Sequence, residues 1–191
     1  MKILIFGKDS DLGEKIVDAM GGLLSDVDVT NYQEVEKQIQ EFQPDVVINC
    51  AAILEPEAIK ESDVNVWHRV VDVNLTGSYH VSKATPIGSI LILISSTAGL
   101  HGKLGDSSYC ASKSGVISLV QSLAFEGYNA YCISPARMDT KMRDKTHPNE
   151  DKGTRLLPET IVRIIQDVLD GVYKPGDNII VKKWEGIRVE K

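Results

Sequence analysis

Tyr109 and Lys113 stand four residues apart in the stretch Ser108-Tyr109-Cys110-Ala111-Ser112-Lys113-Ser114-Gly115. On a helix that spacing puts both side chains on one face, a turn apart. A free phenol titrates near pH ~10. A lysine ammonium ~5 Å away, at an effective dielectric of ~20, is worth roughly 3 kcal/mol, or about two pKa units. Such a phenol can exchange a proton with a substrate oxygen near neutral pH. An amphipathic surface helix carries the same Tyr-x-x-x-Lys pattern by chance, so its surroundings decide its meaning.

Those surroundings are rich in polar residues at strand ends. Ile94-Ser95-Ser96-Thr97-Ala98-Gly99 follows an aliphatic run, and Ser96 lies thirteen residues before Tyr109. A serine there sits at the sheet edge where open α/β proteins bind ligands. Asn49-Cys50-Ala51-Ala52 ends another such run, and Ser134-Pro135-Ala136-Arg137 a third, with Met138 and Thr140 just beyond. Asn74 lies inside a helical segment as Val73-Asn74-Leu75-Thr76-Gly77. Near the start, Gly7-Lys8-Asp9-Ser10-Asp11-Leu12-Gly13 joins a short strand to a helix. A turn of this kind lets a pyrophosphate approach backbone N–H groups at a helix N-terminus. Its middle glycine is replaced by Ser10 or Asp11. Asp11 also puts a negative charge near the phosphate position, and Lys8 partly offsets it.

The elements that must position these residues alternate along the chain. Strands are predicted at Lys2–Phe6, weakly at Leu23–Val29, and at Asp45–Asn49, Ile90–Ile94, Ala130–Ile133 and Asn178–Val181. Helices are predicted at Leu12–Met20, after a cap at Thr30 or Asn31, and at Val64–Ala84, Ser107–Phe125 and Pro158–Leu169. The five aliphatic residues Ile90 to Ile94 suit a parallel strand covered on both faces. This rhythm predicts an α/β, Rossmann-like, doubly wound parallel sheet of six or seven strands, forming a single compact domain over residues 1–191.

Composition narrows the function classes. A formal net charge of −6 argues against a general nucleic-acid binder. No apolar run approaches the ~20 residues that span a bilayer. The apolar start is too short for a signal peptide, so a cytoplasmic location is the expectation. Cys50, Cys110 and Cys132 lack metal-ligand spacing and read as small buried residues.

The Tyr-x-x-x-Lys helix, the Ser-Ser strand end, the Asn-x-x-Gly segment and the Pro-x-x-x-x-Thr segment occur in an order that resembles the short-chain dehydrogenase/reductase family. The Ile-Phe-Gly-Lys and Pro-Asp-Val-Val-Ile-Asn-Cys-Ala-Ala stretches also resemble the dTDP-4-dehydrorhamnose reductase branch. The resemblance implies an NAD(P)-dependent oxidoreductase with Tyr109 as catalytic acid/base. Lys113 would lower the tyrosine's pKa and hold the nicotinamide ribose, Ser96 would bond the substrate oxygen, and Asn74 would support a water relay behind Lys113. The cofactor would meet Gly7, Lys8, Ser10, Asp11, Leu12, Gly13, Asp28, Asn49, Cys50, Ala51, Ala52, Pro135, Ala136, Met138 and Thr140. Asp28 matches a position that touches adenine. The second-strand region is short for the family, Ala136 replaces a common glycine and Cys50 a common asparagine. NADP or NAD remain open, with Lys8 tilting toward NADP.

The favoured activity is a carbonyl reductase or alcohol dehydrogenase. The alternative is a non-catalytic nucleotide-binding regulator. A nucleotide-sugar epimerase ranks lower, because only 78 residues follow Lys113 and they must finish the sheet. Residues Arg137 to Leu157 hold Arg137, Lys141, Arg143, Lys145, Lys152 and Arg155 against four acidic residues. That surplus suggests a small polar carbonyl substrate, such as a sugar or sugar phosphate. A homodimer or homotetramer is expected, packed through Val64–Ala84 and Ser107–Phe125, with Ala111, Gly115 and Ser118 allowing close approach.

Overall fold

Aliphatic runs with no polar face can be buried only between two layers, and the sheet obeys this. In the computed structural model, which describes residues 1–190, seven strands form one sheet. They are β1 (Ile3–Phe6), β2 (Leu23–Ser25), β3 (Val46–Asn49), β4 (Ile90–Ile94), β5 (Asn129–Pro135), β6 (Asn178–Lys182) and β7 (Gly186–Glu190). Their order is β2-β1-β3-β4-β5-β6-β7. The first six run parallel and β7 is antiparallel to β6. Lys191, the last residue of the expected domain, lies outside the described residues.

The register shows why the runs are apolar throughout. Leu4, Val47, Leu91 and Ala130 are neighbours across four strands and belong to one core layer. Ile5, Ile48, Ile92 and Tyr131, one residue on, belong to the other. Helices α1 (Asp11–Met20) and α7 (Pro158–Leu169) cover the isoleucine side. On the leucine side lie α2 (Tyr32–Phe42), α3 (Val64–Val71), α4 (Gly77–Ala84) and α5 (Ser107–Phe125). A short α6 (Lys141–Thr146) follows β5. Burying each large aliphatic side chain contributes roughly 1.5–3 kcal/mol. No helix among the described residues is long and apolar enough to cross a membrane.

Four local features depart from the sequence expectation. The sheet is not wholly parallel: Lys183 to Glu185 make a three-residue turn, Gly186 takes φ +77°, and β7 folds back on β6. Strand β2 stops at Ser25, well short of Val29, because the chain turns there toward Asn31, which caps α2 through its side chain. The helix expected over Val64–Ala84 is broken by a π-helical turn at Asp72–Thr76. Gly115 serves packing within the chain, since a Cβ there would lie 2.8 Å from the Leu75 side chain.

Candidate active site

The carboxyl ends of β1, β3, β4 and β5 all open on one edge, and the glycine turn begins it. Gly7 has φ +105°, and a Cβ on it would lie 2.7 Å from the Ala51 nitrogen. Only glycine lets the chain leave β1 this close to the segment after β3. Ser10 then caps α1, its Oγ accepting from the Gly13 N–H at 3.2 Å. At Gly13 a Cβ would stand 3.0 Å from Leu24 Cδ1 and 3.3 Å from the Gly7 carbonyl oxygen, so this glycine sets how closely α1 meets β2. Asp11 does not aim its charge at the turn. Its carboxylate accepts from the Lys141 N–H at 2.8 Å and meets Lys141 Nζ at 3.4 Å, tying α1 to the start of α6.

A cleft of about 420 Å³ runs from this turn to Tyr109. Lys8, Ser10, Asp11 and Leu12 line its near end with Gly7, and Cys50, Ala51, Ala52, Tyr109 and Lys113 its far end. Asp26 to Val29 form the outer wall. The cradle at Gly7, the N-terminus of α1 and the length of the cleft fit a dinucleotide. Asp28 is where adenine contact was expected, while its Oδ1 also accepts from Thr30 N–H and Oγ1 at 2.9 Å. Asn49 stands behind the wall: its Nδ2 donates to Ser78 Oγ at 3.1 Å and its Oδ1 accepts from Ala51 N–H at 3.1 Å. Asp26 was not singled out by sequence. The signal was there in Leu23-Leu24-Ser25-Asp26, an acidic residue directly after a strand, but the strand was too short to delimit.

Tyr109 and Lys113 share a face of α5 as expected, and β4 is locked onto that helix. Ser95 Oγ donates to the Lys113 carbonyl at 2.8 Å, and Ser114 Oγ to the Gly99 carbonyl at 2.6 Å. A Cβ on Gly99 would lie 2.8 Å from the Lys113 backbone, so the turn at Thr97–Gly99 touches the helix directly. Lys113 Nζ sits 5.7 Å from the Tyr109 ring centroid and donates to the Ile94 carbonyl at 2.9 Å. Ser96 caps the same turn, its Oγ accepting from Ala98 N–H at 3.1 Å, and it lines the same small pocket as the Tyr109 phenol. Burial pushes the Tyr109 phenol up to about 12, against the Ser96 hydroxyl and the Arg143 charge, which lower it. Burial likewise brings Lys113 down to about 8. Lys113 thus lies beside the Tyr109 ring with its ammonium turned to the Ile94 carbonyl, while Arg143 adds a second positive charge near the phenol.

Asn74 occupies the π-helical turn, a distortion often found at functional positions. Its Oδ1 accepts from Ile53 N–H at 2.8 Å, and its Nδ2 donates to the Ile53 carbonyl at 3.0 Å and to Ser112 Oγ at 3.1 Å. The side chain thus pins the segment after β3 to α5. The Asn74 carbonyl accepts from Ser78 Oγ at 2.7 Å.

A second, smaller pocket of about 80 Å³ opens on the other side of Tyr109. Ser96 and Tyr109 line it with Pro135 and Ala136, and Met138, Thr140 and Met142 divide it from the cleft. Lys103, Asp106, Arg137 and Arg143 bring charge to it. Most of the basic residues of Arg137–Leu157 prove to be paired. Arg143 Nε and Nη2 donate to Glu150 at 2.7 and 2.5 Å. Arg155 is fully buried and meets Asp139 at 3.0 Å, Asp144 at 2.6 Å and Glu150 at 3.2 Å. Lys152 meets Asp144 at 2.8 Å, and Arg137 meets Glu150 at 3.3 Å. Arg143 holds the Glu150 carboxyl down at about 2. Thr140 caps α6 by accepting from the Arg143 N–H at 3.2 Å, which places this arginine.

Comparison with known proteins agrees with this geometry. The family described as short chain dehydrogenase matches residues 1–151. The chain belongs to that family. Among curated relatives, human (3R)-3-hydroxyacyl-CoA dehydrogenase is 33% identical over 141 residues, which cover 68% of this chain and 54% of that protein. The 3-oxoacyl-[acyl-carrier-protein] reductase of Chlamydia muridarum is 32% identical over 131 residues, covering 61% of this chain and 53% of the relative. The chain thus spans little more than half the length of these relatives. Among solved structures, a 4-hydroxyisoleucine dehydrogenase complexed with NADH superposes with a TM-score of 0.80 at 22% identity, covering 97% of this chain and 99% of that one. The ligand-free aldohexose dehydrogenase of Thermoplasma acidophilum gives 0.83 at 22% identity, over 94% and 92% of the two chains. These neighbours share the short-chain dehydrogenase fold described above.

Proposed function

We propose that this chain is an oxidoreductase that moves a hydride between a nicotinamide dinucleotide and a small polar hydroxy or carbonyl compound. The observation that carries the reading is the Ser96–Tyr109 pair, which stands in the wall between a dinucleotide-sized cleft and a small charged pocket. The dinucleotide, when bound, supplies or accepts the hydride. Tyr109 gives a proton to the substrate oxygen or takes one from it, and Ser96 fixes that oxygen by a hydrogen bond. Lys113 stands beside the tyrosine to bind the nicotinamide ribose and to leave its carbonyl partner when it does so. Asn74 keeps the wall between cleft and α5 in place.

NAD is the better fit to the cleft's outer wall. Asp26 is exposed directly after β2, at the strand end where an acidic side chain accepts from the adenosine ribose and repels a 2′-phosphate. Asp9 and Asp28 add negative charge there, against Lys8 alone. The preference for NADP drawn from Lys8 is therefore set aside. The substrate side is small and carries both charges, which supports a short polar compound over the acyl thioesters of the curated relatives. The phosphate reading weakens because Arg137, Lys152 and Arg155 are held in ion pairs, which leaves Arg143 with the one unspent guanidinium edge on the pocket. Assembly as a homodimer or homotetramer remains part of the reading, with exposed Trp67 on α3 and Phe125 at the end of α5 available to a second copy.

The test is a nicotinamide-fluorescence titration with NADH and NADPH, followed by turnover on a carbonyl panel. NADH should bind at least about tenfold more tightly than NADPH, a difference of about 1.4 kcal/mol. Tighter NADPH binding would overturn the cofactor choice. Failure to bind either would overturn the reading. Light scattering that shows a monomer at micromolar concentration would remove the assembly.

A further inference from the structure

Among the charges lining the small pocket, the Arg143 guanidinium and the Asp106 carboxylate are not partnered with each other. Arg143 is 15% exposed at its side chain and spends Nε and Nη2 on Glu150. Its Nη1 has no hydrogen-bond partner among the described residues. Glu150 is in turn gripped by Arg155 and Arg137, so Arg143 is fixed from behind with a free edge on the pocket. A guanidinium edge of this kind matches a carboxylate bidentately.

Asp106 is the opposite charge. It precedes the first residue of α5, where an aspartate ordinarily accepts a hydrogen bond from a backbone N–H of the helix. Here it makes no such bond. The cause is the approach of the chain: Gly105 takes φ +79°, and its carbonyl accepts from Glu57 N–H at 2.7 Å, which leaves Asp106 at φ −109°, ψ 29°. Asp106 is only 6% exposed and lines the pocket, yet its side chain has no hydrogen bond or ion pair among the described residues. Its carboxylate is thus unspent within the protein and faces the pocket, where a cationic group on the ligand would pair with it. Lys103 also lines the pocket but is exposed and makes no ion pair with Asp106. Asp106 and Arg143 line the same small pocket as Tyr109, and they act on its phenol in opposite senses, Asp106 raising its pKa and Arg143 lowering it.

We propose that the substrate is a zwitterion, a short hydroxy amino acid or its oxo counterpart, with its carboxylate on Arg143, its ammonium on Asp106 and its hydroxyl on Ser96 and Tyr109. This rests on the oxidoreductase reading above. In the oxidative direction the carbinol C–H bond breaks and its hydride passes to NAD⁺. Tyr109, a neutral phenol at rest, first gives its own proton to solvent, and the substrate O–H bond then breaks and passes its proton to the Tyr109 oxygen. The C–O bond becomes C=O, Tyr109 ends as the neutral phenol it began as, and the products are the oxo amino acid, NADH and the one proton given to solvent. A plain secondary alcohol would leave both charges unmatched, and a hydroxy acid without the amine would leave Asp106 alone. Met138 and Met142 give the pocket an apolar side against which a short side chain would lie.

The experiment is NAD⁺ reduction with four matched substrate sets: short hydroxy amino acids, hydroxy acids lacking the amine, amino alcohols lacking the carboxylate, and 3-hydroxyacyl-CoA. For the zwitterion, kcat/KM should exceed that of every other set by about tenfold or more. Arg143→Gln should erase the advantage of the carboxylate, and Asp106→Asn that of the amine, each mainly through KM. Both variants should bind NADH as the parent does, which also checks that they fold. The proposal is overturned if any other set matches the zwitterion, or if each variant lowers all four sets alike. NADH binding with turnover of neutral alcohols alone would sink this proposal and leave the oxidoreductase reading standing. Loss of NADH binding in the parent chain would sink that reading itself.

Discussion

The two sides of Tyr109 are made of different material. On the cleft side the contacts are backbone and small residues: Gly7 against Ala51, Gly13 against Leu24, Ser10 capping α1. On the pocket side they are charged side chains held by other charged side chains, with Arg155 at the centre of an array that includes Asp139, Asp144 and Glu150. A backbone cradle admits one kind of ligand and is hard to change without losing the fold. A side-chain array can be rewritten by exchanging a residue or two. The difference teaches that the backbone-built cleft is the harder of the two to alter, while the side-chain pocket can change independently of it.

The sharpest way to break the contrast is to fill the cradle. Gly7→Val would force a branched side chain into φ +105° and against the Ala51 nitrogen. The left-handed backbone alone costs about 1–2 kcal/mol, so NADH affinity should fall by about tenfold or more, measured by fluorescence titration. Unchanged affinity would mean that the turn does not form the cradle.

The opposite side should behave differently. Glu150→Gln removes the charge that holds Arg143 while leaving the cleft untouched. Substrate KM should rise several-fold, proteolysis within Arg137–Leu157 should quicken, and NADH affinity should stay within about twofold. A parallel loss of NADH affinity would show that the two sides are one cooperative unit.

A subtler effect concerns the buried lysine between them. Lys113 titrates at about 8 in the folded chain against an ordinary 10.5. As pH rises past 8, the folded protein sheds this proton while the unfolded chain keeps it, so stability rises with pH. Cys50 and Cys132, raised by burial from 9 to about 12, act in the opposite sense above pH 9. The thermal midpoint of the ligand-free protein should therefore climb between pH 8 and 9, and Lys113→Met should flatten that climb. A slope unchanged in the variant would contradict the burial argument. The smallest effect is expected at Lys8→Ala, with a change in NADH affinity under about twofold.

The sequence was legible where local rules suffice. β1, β3 and β4 are aliphatic on both faces, so each reads as a strand without knowledge of its neighbours. The pair on α5 is legible for the same reason, because a four-residue spacing settles its geometry. The π-helical turn at Asp72–Thr76 is not, since its residues continue the helical pattern and only the Asn74 bonds to Ile53 reveal it. Strand β7 is hidden because it is an exposed edge that depends on the Gly186 turn. The pocket charges are least legible of all. Arg143 gains its meaning from Glu150 and Arg155, and Lys141 is neutralised by Asp11 from 130 residues away.

The most direct test of the account is Tyr109→Phe, measured twice in one preparation. Removing the hydroxyl takes away the proton donor beside Ser96 and leaves the ring on α5. Turnover on the best substrate should fall by about 100-fold or more, while NADH binds as it does to the parent. Turnover close to that of the parent, with binding intact, would contradict the account.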